Sequence, residues 1–133
     1  MYSISKSFQF CYGHRLMNDK GRCKNLHGHT AKVAVTLRAE KLDDMGMVVH
    51  FDRLKESVGR WISENLDHTM LLCSRDPAAK LLTDAGERVF LMDENPTAEN
   101  IAKLIFDKSI EMGVPVFAVE VWESESSKAR FEG

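Results

Sequence analysis

The 133-residue sequence lacks any apolar run that approaches the about 20 residues needed to cross a bilayer. Its N-terminus alternates polar and apolar residues and has no continuous apolar stretch typical of a signal peptide. There is no basic excess, since the net charge is −2, which argues against a nucleic-acid-binding protein. The three cysteines are an odd number without repeated close spacing, so a disulfide framework is not expected. These absences favour a reduced, cytoplasmic protein.

The composition is that of an ordinary globular protein, with 44% hydrophobic and 29% charged residues. The chain contains no internal repeat, low-complexity segment or linker. A length of 133 residues fits one hydrophobic core and leaves no room for a second. We therefore expect a single domain spanning residues 1–133.

Hydrophobic periodicity predicts an α+β fold. Alternating patterns indicate strands over 4–12 and 30–40, and helical spacing indicates an amphipathic helix over 52–65. Asn95-Pro96 is typical of a helix start, with Asn95 as the N-cap. Further short strands are predicted at 47–51, 88–92, 116–123 and 128–132, and an irregular connection is predicted at 73–87.

This order of elements predicts an antiparallel sheet with two helices on one face. So few elements cannot cover every sheet edge. Unpaired strand edges invite pairing with another chain, so we expect a homo-oligomer.

The tripeptide His27-Gly28-His29 is the most informative motif. On an extended chain residues i and i+2 point to the same side, so both imidazoles converge, and Gly28 permits close approach of the backbone. His14 is the best third ligand, because its strand precedes and could pair with the second. Three neutral histidines would leave a fourth position open for water or substrate. Surface or core histidines without a metal are the alternative, since His-x-His alone is a weak signal.

Several blocks resemble the 6-pyruvoyl/6-carboxytetrahydropterin synthase family in the expected order. They span residues 10 to about 125 and are FCYGHRL (10–16), CKNLHGH (23–29), GMVVHFDRLK (46–55), LDHTML (66–71), PTAEN (96–100) and VWE (121–123). The resemblance implies the T-fold, in which protomers form barrels, commonly as a hexamer of two trimers. It also implies Zn²⁺ bound by His14, His27 and His29, and a pterin substrate.

The resemblance implies further site residues. Cys23 corresponds to a reactive cysteine, and a nearby cation would favour its thiolate. Asp67 and His68 correspond to a second proton-handling pair, whose contact requires a turn, a helix end or a subunit interface. Glu123 corresponds to a glutamate that accepts two hydrogen bonds from the pterin ring. Each has a structural alternative. Cys23 could be a buried, inert thiol, Asp67-His68 could cap the preceding helix, and Glu123 could be a surface carboxylate.

The motif spacing favours one subgroup. Three residues separate Cys23 from His27, as in the bacterial 6-carboxytetrahydropterin synthases of queuosine (7-deazaguanine) biosynthesis, which this spacing resembles. Such a zinc-dependent lyase converts 7,8-dihydroneopterin triphosphate to 6-carboxytetrahydropterin, acetaldehyde and triphosphate. The alternatives are a 6-pyruvoyltetrahydropterin synthase and a zinc- or pterin-binding protein without catalysis. His50, where the family often has Asp or Asn, could be a group near the pocket or simply a strand residue.

Overall fold

A six-stranded sheet forms the frame of the computed structural model, which describes residues 1–133. The strands lie in the order β4-β3-β1-β2-β5-β6. Their bounds are β1 (Tyr2–His14), β2 (His27–Ala39), β3 (Thr69–Cys73), β4 (Val89–Met92), β5 (Ala118–Ser124) and β6 (Ser127–Glu132). None of the helices is long and apolar enough to span a membrane.

The sheet is mixed, so the prediction of an antiparallel sheet is wrong in part. β1 pairs antiparallel with β2, as do β2 with β5 and β5 with β6. β3 pairs parallel with both β1 and β4. A helical crossover joins β3 to β4 and returns the chain to the same end of the sheet, so these two strands are parallel. β3 runs opposite to β2, the strand that precedes it, and is therefore parallel to β1, the antiparallel partner of β2. The predictions had no strand at β3, since four of its five residues are buried and it lacks alternation.

Three helices accompany the sheet. α1 covers 51–65 as Phe51–Leu54, a π-helical segment Lys55–Gly59 and Arg60–Asn65. α2 is Pro77–Asp84 and α3 is Ala98–Glu111. The irregular connection predicted at 73–87 therefore contains a helix, begun by Asp76, whose carboxylate accepts the N–H of Ala78.

The main core lies between α1, α3 and one face of the sheet, called the helix face. Leu54, Val58 and Ile62 of α1 and Ile101 and Ile105 of α3 are at most 1% exposed and pack against it. α2 packs instead with Leu72 on the opposite face, called the open face, because successive residues of β3 point to opposite sides. The prediction of two helices on one face is thus correct for α1 and α3, whereas α2 lies on the open face.

Two local predictions are corrected by capping. Residues 47–51 form no strand, because Phe51 already begins α1 and the His50 side chain caps that helix by accepting the N–H of Asp52. α3 begins after Thr97 rather than Asn95, since the Thr97 hydroxyl accepts the N–H of Asn100 at 3.1 Å. Asn95 is thereby free for another role.

Candidate metal centre

Three histidines meet where β1 ends and β2 begins. His14 is the last residue of β1 and pairs with His27, the first residue of β2. His29 follows two positions later on the same side of β2, as expected from the strand period. One potential ligand atom from each of His14, His27 and His29 lies within 4.8 Å of the others. The convergence predicted from His27-Gly28-His29 and His14 is therefore present.

Hydrogen bonds to carbonyl groups fix two of the rings. The Nδ1 atom of His14 lies 2.7 Å from the Pro96 carbonyl oxygen, and that of His27 lies 2.6 Å from the Asn25 carbonyl oxygen. A carbonyl only accepts, so both rings carry their proton on Nδ1. Each Nε2 lone pair is then available to an ion, the arrangement that orients histidine ligands in metal proteins.

The donor set fits a tetrahedral divalent cation. The Nε2 atoms of His14 and His29 are 3.1 Å apart, close to the about 3.3 Å expected for two nitrogens about 2.05 Å from one tetrahedral ion. Burial lowers the pKa of His14, as do the neighbouring His27 and His29, against the opposing effect of the Pro96 carbonyl. His14 is therefore neutral at physiological pH, which is the form that binds a metal.

The segment that supplies the Pro96 carbonyl is itself braced. The Asn95 side chain accepts the N–H of Met17 at 3.0 Å and donates to the Met17 carbonyl at 3.1 Å. The Asn100 side chain donates to the Asn95 carbonyl at 2.9 Å. Asn95 thus ties the segment after His14 to the start of α3. An Asn before Pro is also a common helix cap, so this role of Asn95 could not be predicted from its sequence position.

Gly28 lies at a close crossing of β1 and β2. A Cβ atom added at Gly28 would come within 2.9 Å of the Tyr12 carbonyl oxygen, which is backbone and cannot move aside easily. This agrees with the expected close approach at Gly28.

Cys23 lies in a short 3₁₀ turn, Arg22–Lys24, between the two strands that carry the histidines. It is half-buried, and its carbonyl accepts the N–H of Leu16 at 2.7 Å. Its thiol does not belong to the histidine cluster. All three cysteines, Cys11, Cys23 and Cys73, are free thiols.

Asp67 and His68 are in contact on the approach to β3. His68 has a left-handed backbone with φ of 54°, and this turn brings its Nδ1 within 3.1 Å of the Asp67 carboxylate. The same carboxylate accepts the N–H of Cys11 at 2.8 Å rather than capping α1. Burial raises the pKa of Asp67, but the hydrogen bonds from Cys11 and His68 outweigh it, so its pKa is lowered overall. Asp67 is therefore ionised.

The Asp67–His68 pair is not part of the histidine cluster. The His68 side chain is 77% exposed and lines a shallow cavity with Cys11, Gly13 and Thr30, and His29 of the cluster lines the same cavity. The ligand atoms that converge are those of His14, His27 and His29, and His68 is not among them.

Glu123 lies next to the cluster on β5. Its carboxylate is 3.8 Å from the Nε2 atom of His29 and 30% exposed. Val121, two residues earlier, is fully buried on the helix face, in agreement with the expected shared face. The carboxylate is therefore a neighbour of the candidate metal site and not a remote surface group.

Tyr12 is a neighbour that the sequence analysis did not single out. Its ring lies 5.0 Å from that of His14 and 5.7 Å from that of His29, and its buried hydroxyl has no hydrogen-bond partner. Burial, and secondarily the charge of Glu123, raises the pKa of Tyr12. The hydroxyl therefore stays protonated. Alternation marked Tyr12 as a strand residue, but nothing in its spacing distinguished it from core.

Comparisons with known proteins point to one family. The family model described as 6-pyruvoyl tetrahydropterin synthase matches residues 3–133. A 6-carboxy-5,6,7,8-tetrahydropterin synthase of Rickettsia bellii is 36% identical over 104 residues, covering 77% of this chain and 75% of the relative. The Synechocystis protein of the same name is 35% identical over 136 residues, covering 98% and 93%.

The fold is shared with a solved structure. Caenorhabditis elegans 6-pyruvoyl tetrahydropterin synthase superposes with a TM-score of 0.76 at 22% identity, covering 99% of this chain and 95% of that one. This superposition confirms the T-fold expected from the sequence.

Proposed function

The chain belongs to the 6-pyruvoyl tetrahydropterin synthase family, and we propose that it is a zinc-dependent 6-carboxy-5,6,7,8-tetrahydropterin synthase. Its substrates are 7,8-dihydroneopterin triphosphate and water, and its products are 6-carboxytetrahydropterin, acetaldehyde and triphosphate. The observation that carries the proposal is the convergence of His14, His27 and His29 with free Nε2 atoms on at least two of them. The names of the relatives from Rickettsia bellii and Synechocystis support the choice of reaction.

His14, His27 and His29 are the proposed zinc ligands. Three neutral imidazoles are a common protein ligand set for catalytic zinc, which keeps a fourth position for water or substrate. When bound, the ion supplies Lewis-acid polarisation of substrate oxygens. The carbonyl groups of Pro96 and Asn25 hold the His14 and His27 rings with their Nε2 atoms turned to the ion.

Cys23 is the proposed base that accepts a proton from the substrate side chain. The hydrogen bond from Leu16 to the Cys23 carbonyl ties its turn to the segment that follows His14. The thiol is outside the histidine cluster, so it is free to act on the substrate and is not needed as a ligand.

Asp67 and His68 are proposed to serve the substrate of a neighbouring protomer. His68 is 77% exposed and is not one of the three residues whose ligand atoms converge, although His29 lines the same shallow cavity. A second copy can bring its own substrate to the exposed imidazole, with the ionised Asp67 holding the ring by its contact of 3.1 Å. Activity would then require an oligomer, for which we propose the hexamer of the family resemblance.

Glu123 is proposed to hold the pterin ring. A carboxylate accepts two parallel hydrogen bonds from the 2-amino and N3–H groups of a pterin. Glu123 lies beside His29 on the neighbouring strand. It would therefore hold the pterin ring next to the ion, with the side chain of the substrate directed at the ion.

Product analysis tests the proposal. The zinc-loaded protein is supplied with 7,8-dihydroneopterin triphosphate, and the pterin product is identified by mass. The expected product is 6-carboxytetrahydropterin, as required for a role in queuosine biosynthesis. A product that keeps all side-chain carbons would identify a 6-pyruvoyltetrahydropterin synthase, and binding without any product would identify a non-catalytic pterin-binding protein.

A further inference from the structure

A second cavity lies at the edge of the sheet where β1, β3 and β4 end, the edge at which His14 ends β1. These three strands are parallel, so their carboxyl ends meet at one edge. The cavity has a volume of about 510 Å³, and its lining includes Arg15, Lys24 and Arg75. Arg15 directly follows His14, and Lys24 directly follows Cys23. Two cations of the cavity are therefore direct chain neighbours of two proposed site residues.

The Arg15 side chain is held in place by a buried acid. Its Nε and Nη2 atoms both donate to the Asp76 carboxylate, and Asp76 is only 3% exposed. This contact leaves the Nη1 group of Arg15 free of the ion pair. Because the guanidinium is already fixed, binding an anion there costs little side-chain entropy.

The other two cations are available to a ligand. Lys24 is exposed and makes no ion pair. Arg75 donates to the Asp93 carbonyl at 2.8 Å and lies 3.5 Å from the Glu94 carboxylate, and the side chains of both Arg75 and Glu94 are mostly exposed. Such an exposed pair is weak and easily exchanged for a stronger anion.

The acidic side chain in the cavity lining is turned to its own loop. The Asp19 carboxylate accepts the N–H of Gly21 at 2.8 Å. The same loop adds two further cations, Lys20 and Arg22, which are exposed. The five cations around the cavity, Arg15, Lys20, Arg22, Lys24 and Arg75, outnumber the three carboxylates, Asp19, Asp76 and Glu94. The local charge is therefore positive and suits a polyanion.

The order of sites across the sheet matches the order of groups in the substrate. Glu123 lies on β5, His27 and His29 on β2, His14 on β1, and the cavity at the ends of β1 and β3. Neighbouring strands are about 4.8 Å apart, so β5 and β3 are separated by about 14 Å. The substrate has its ring at one end, a three-carbon side chain in the middle and a triphosphate at the other end.

We propose that the cavity lined by Arg15, Lys24 and Arg75 binds the triphosphate group of the substrate. This assignment rests on the proposed function and adds to it a phosphate subsite. Arginine offers a planar pair of donors to phosphate oxygens, and lysine adds a mobile point charge. The triphosphate is bound as the leaving group, so the free triphosphate ion should also compete for this subsite.

The test compares two ligands that differ only in the phosphates. Affinities for 7,8-dihydroneopterin triphosphate and for 7,8-dihydroneopterin are measured by calorimetry in the zinc-loaded Cys23→Ala background, so that the triphosphate ligand is bound without being consumed. Lys24→Ala and Arg75→Ala should each weaken binding of the triphosphate about tenfold, and the double variant more, since each removes a charge-assisted contact. Binding of dihydroneopterin should stay within twofold. Lys20→Ala is the matched control, because Lys20 belongs to the same exposed loop but does not line the cavity.

The binding of inorganic triphosphate is a second, independent measurement. It should bind the wild-type protein, and the double variant should lose most of this binding while retaining its zinc content and its melting temperature. If the Cys23→Ala parent prefers the triphosphate ligand but the double variant keeps that preference, the subsite is wrong and the proposed function stands. If this parent binds neither pterin, the proposed function fails and this assignment with it.

Discussion

Replacing Asn95 by Ala should weaken zinc binding although Asn95 touches no metal. The substitution removes the two hydrogen bonds that join the Asn95 side chain to Met17, at 3.0 and 3.1 Å. At about 0.5–1.5 kcal/mol each, their loss should destabilise the fold by about 1–3 kcal/mol. The neighbouring Pro96 carbonyl, which holds the His14 ring at 2.7 Å, would lose its support.

Loss of an outer partner of a metal-bound histidine commonly lowers metal affinity by about 10–100-fold. Asn95→Ala leaves the Pro96 carbonyl present but mobile, so we expect zinc affinity to fall by about tenfold, the lower end of this range. The assay is a zinc titration in competition with a chelator, and thermal unfolding of the metal-free protein is measured separately. Asn65→Ala is the matched control, because it removes one hydrogen bond, to the Trp61 carbonyl, within α1. If zinc affinity is unchanged in Asn95→Ala, Asn95 does not support zinc binding through the Pro96 carbonyl, whatever the effect on the free energy of unfolding.

Four further substitutions give distinct outcomes. His29→Ala should lose most bound zinc by metal analysis, and full zinc content would exclude the three-histidine site. Cys23→Ala should keep its zinc and its fold but lose most turnover, whereas loss of zinc would make Cys23 a fourth ligand. Glu123→Gln should bind pterin about 2 kcal/mol more weakly at unchanged zinc content, since one acceptor becomes a donor; equal affinity would remove Glu123 from the site. Asp76→Asn should lower the free energy of unfolding at pH 7 by about 3 kcal/mol, because it leaves the Arg15 charge without its buried partner. The hydrogen bonds from Arg15 hold the pKa of Asp76 below its ordinary value of 3.8. Wild type should therefore lose this stability as the pH falls below about 4, and the difference between the two proteins in urea unfolding should shrink there.

The long strands and the cluster of three histidines could be predicted because both depend on local periodicity. Alternation located β1 and β2, and the i, i+2 relation of His27 and His29 follows directly from a strand. His14 required only that consecutive strands pair, which is the commonest arrangement.

The parts that escaped prediction depend on tertiary context. β3 is short and almost entirely buried, so no alternation marked it, and its parallel pairing with β1 depends on which strand it lies beside rather than on its own residues. Pairs such as Arg15 with Asp76 are 61 residues apart in the chain. The position of His68 depends on a left-handed turn that its residue type does not demand.

Measuring acetaldehyde release tests directly whether the protein cleaves the side chain of 7,8-dihydroneopterin triphosphate in a zinc-dependent reaction. The zinc-loaded protein is incubated with 7,8-dihydroneopterin triphosphate, and acetaldehyde and consumed substrate are quantified together, with His29→Ala as the control. Our account predicts one acetaldehyde for each substrate consumed by wild type and almost none from His29→Ala. Consumption of substrate without acetaldehyde, or equal release by His29→Ala, would contradict it.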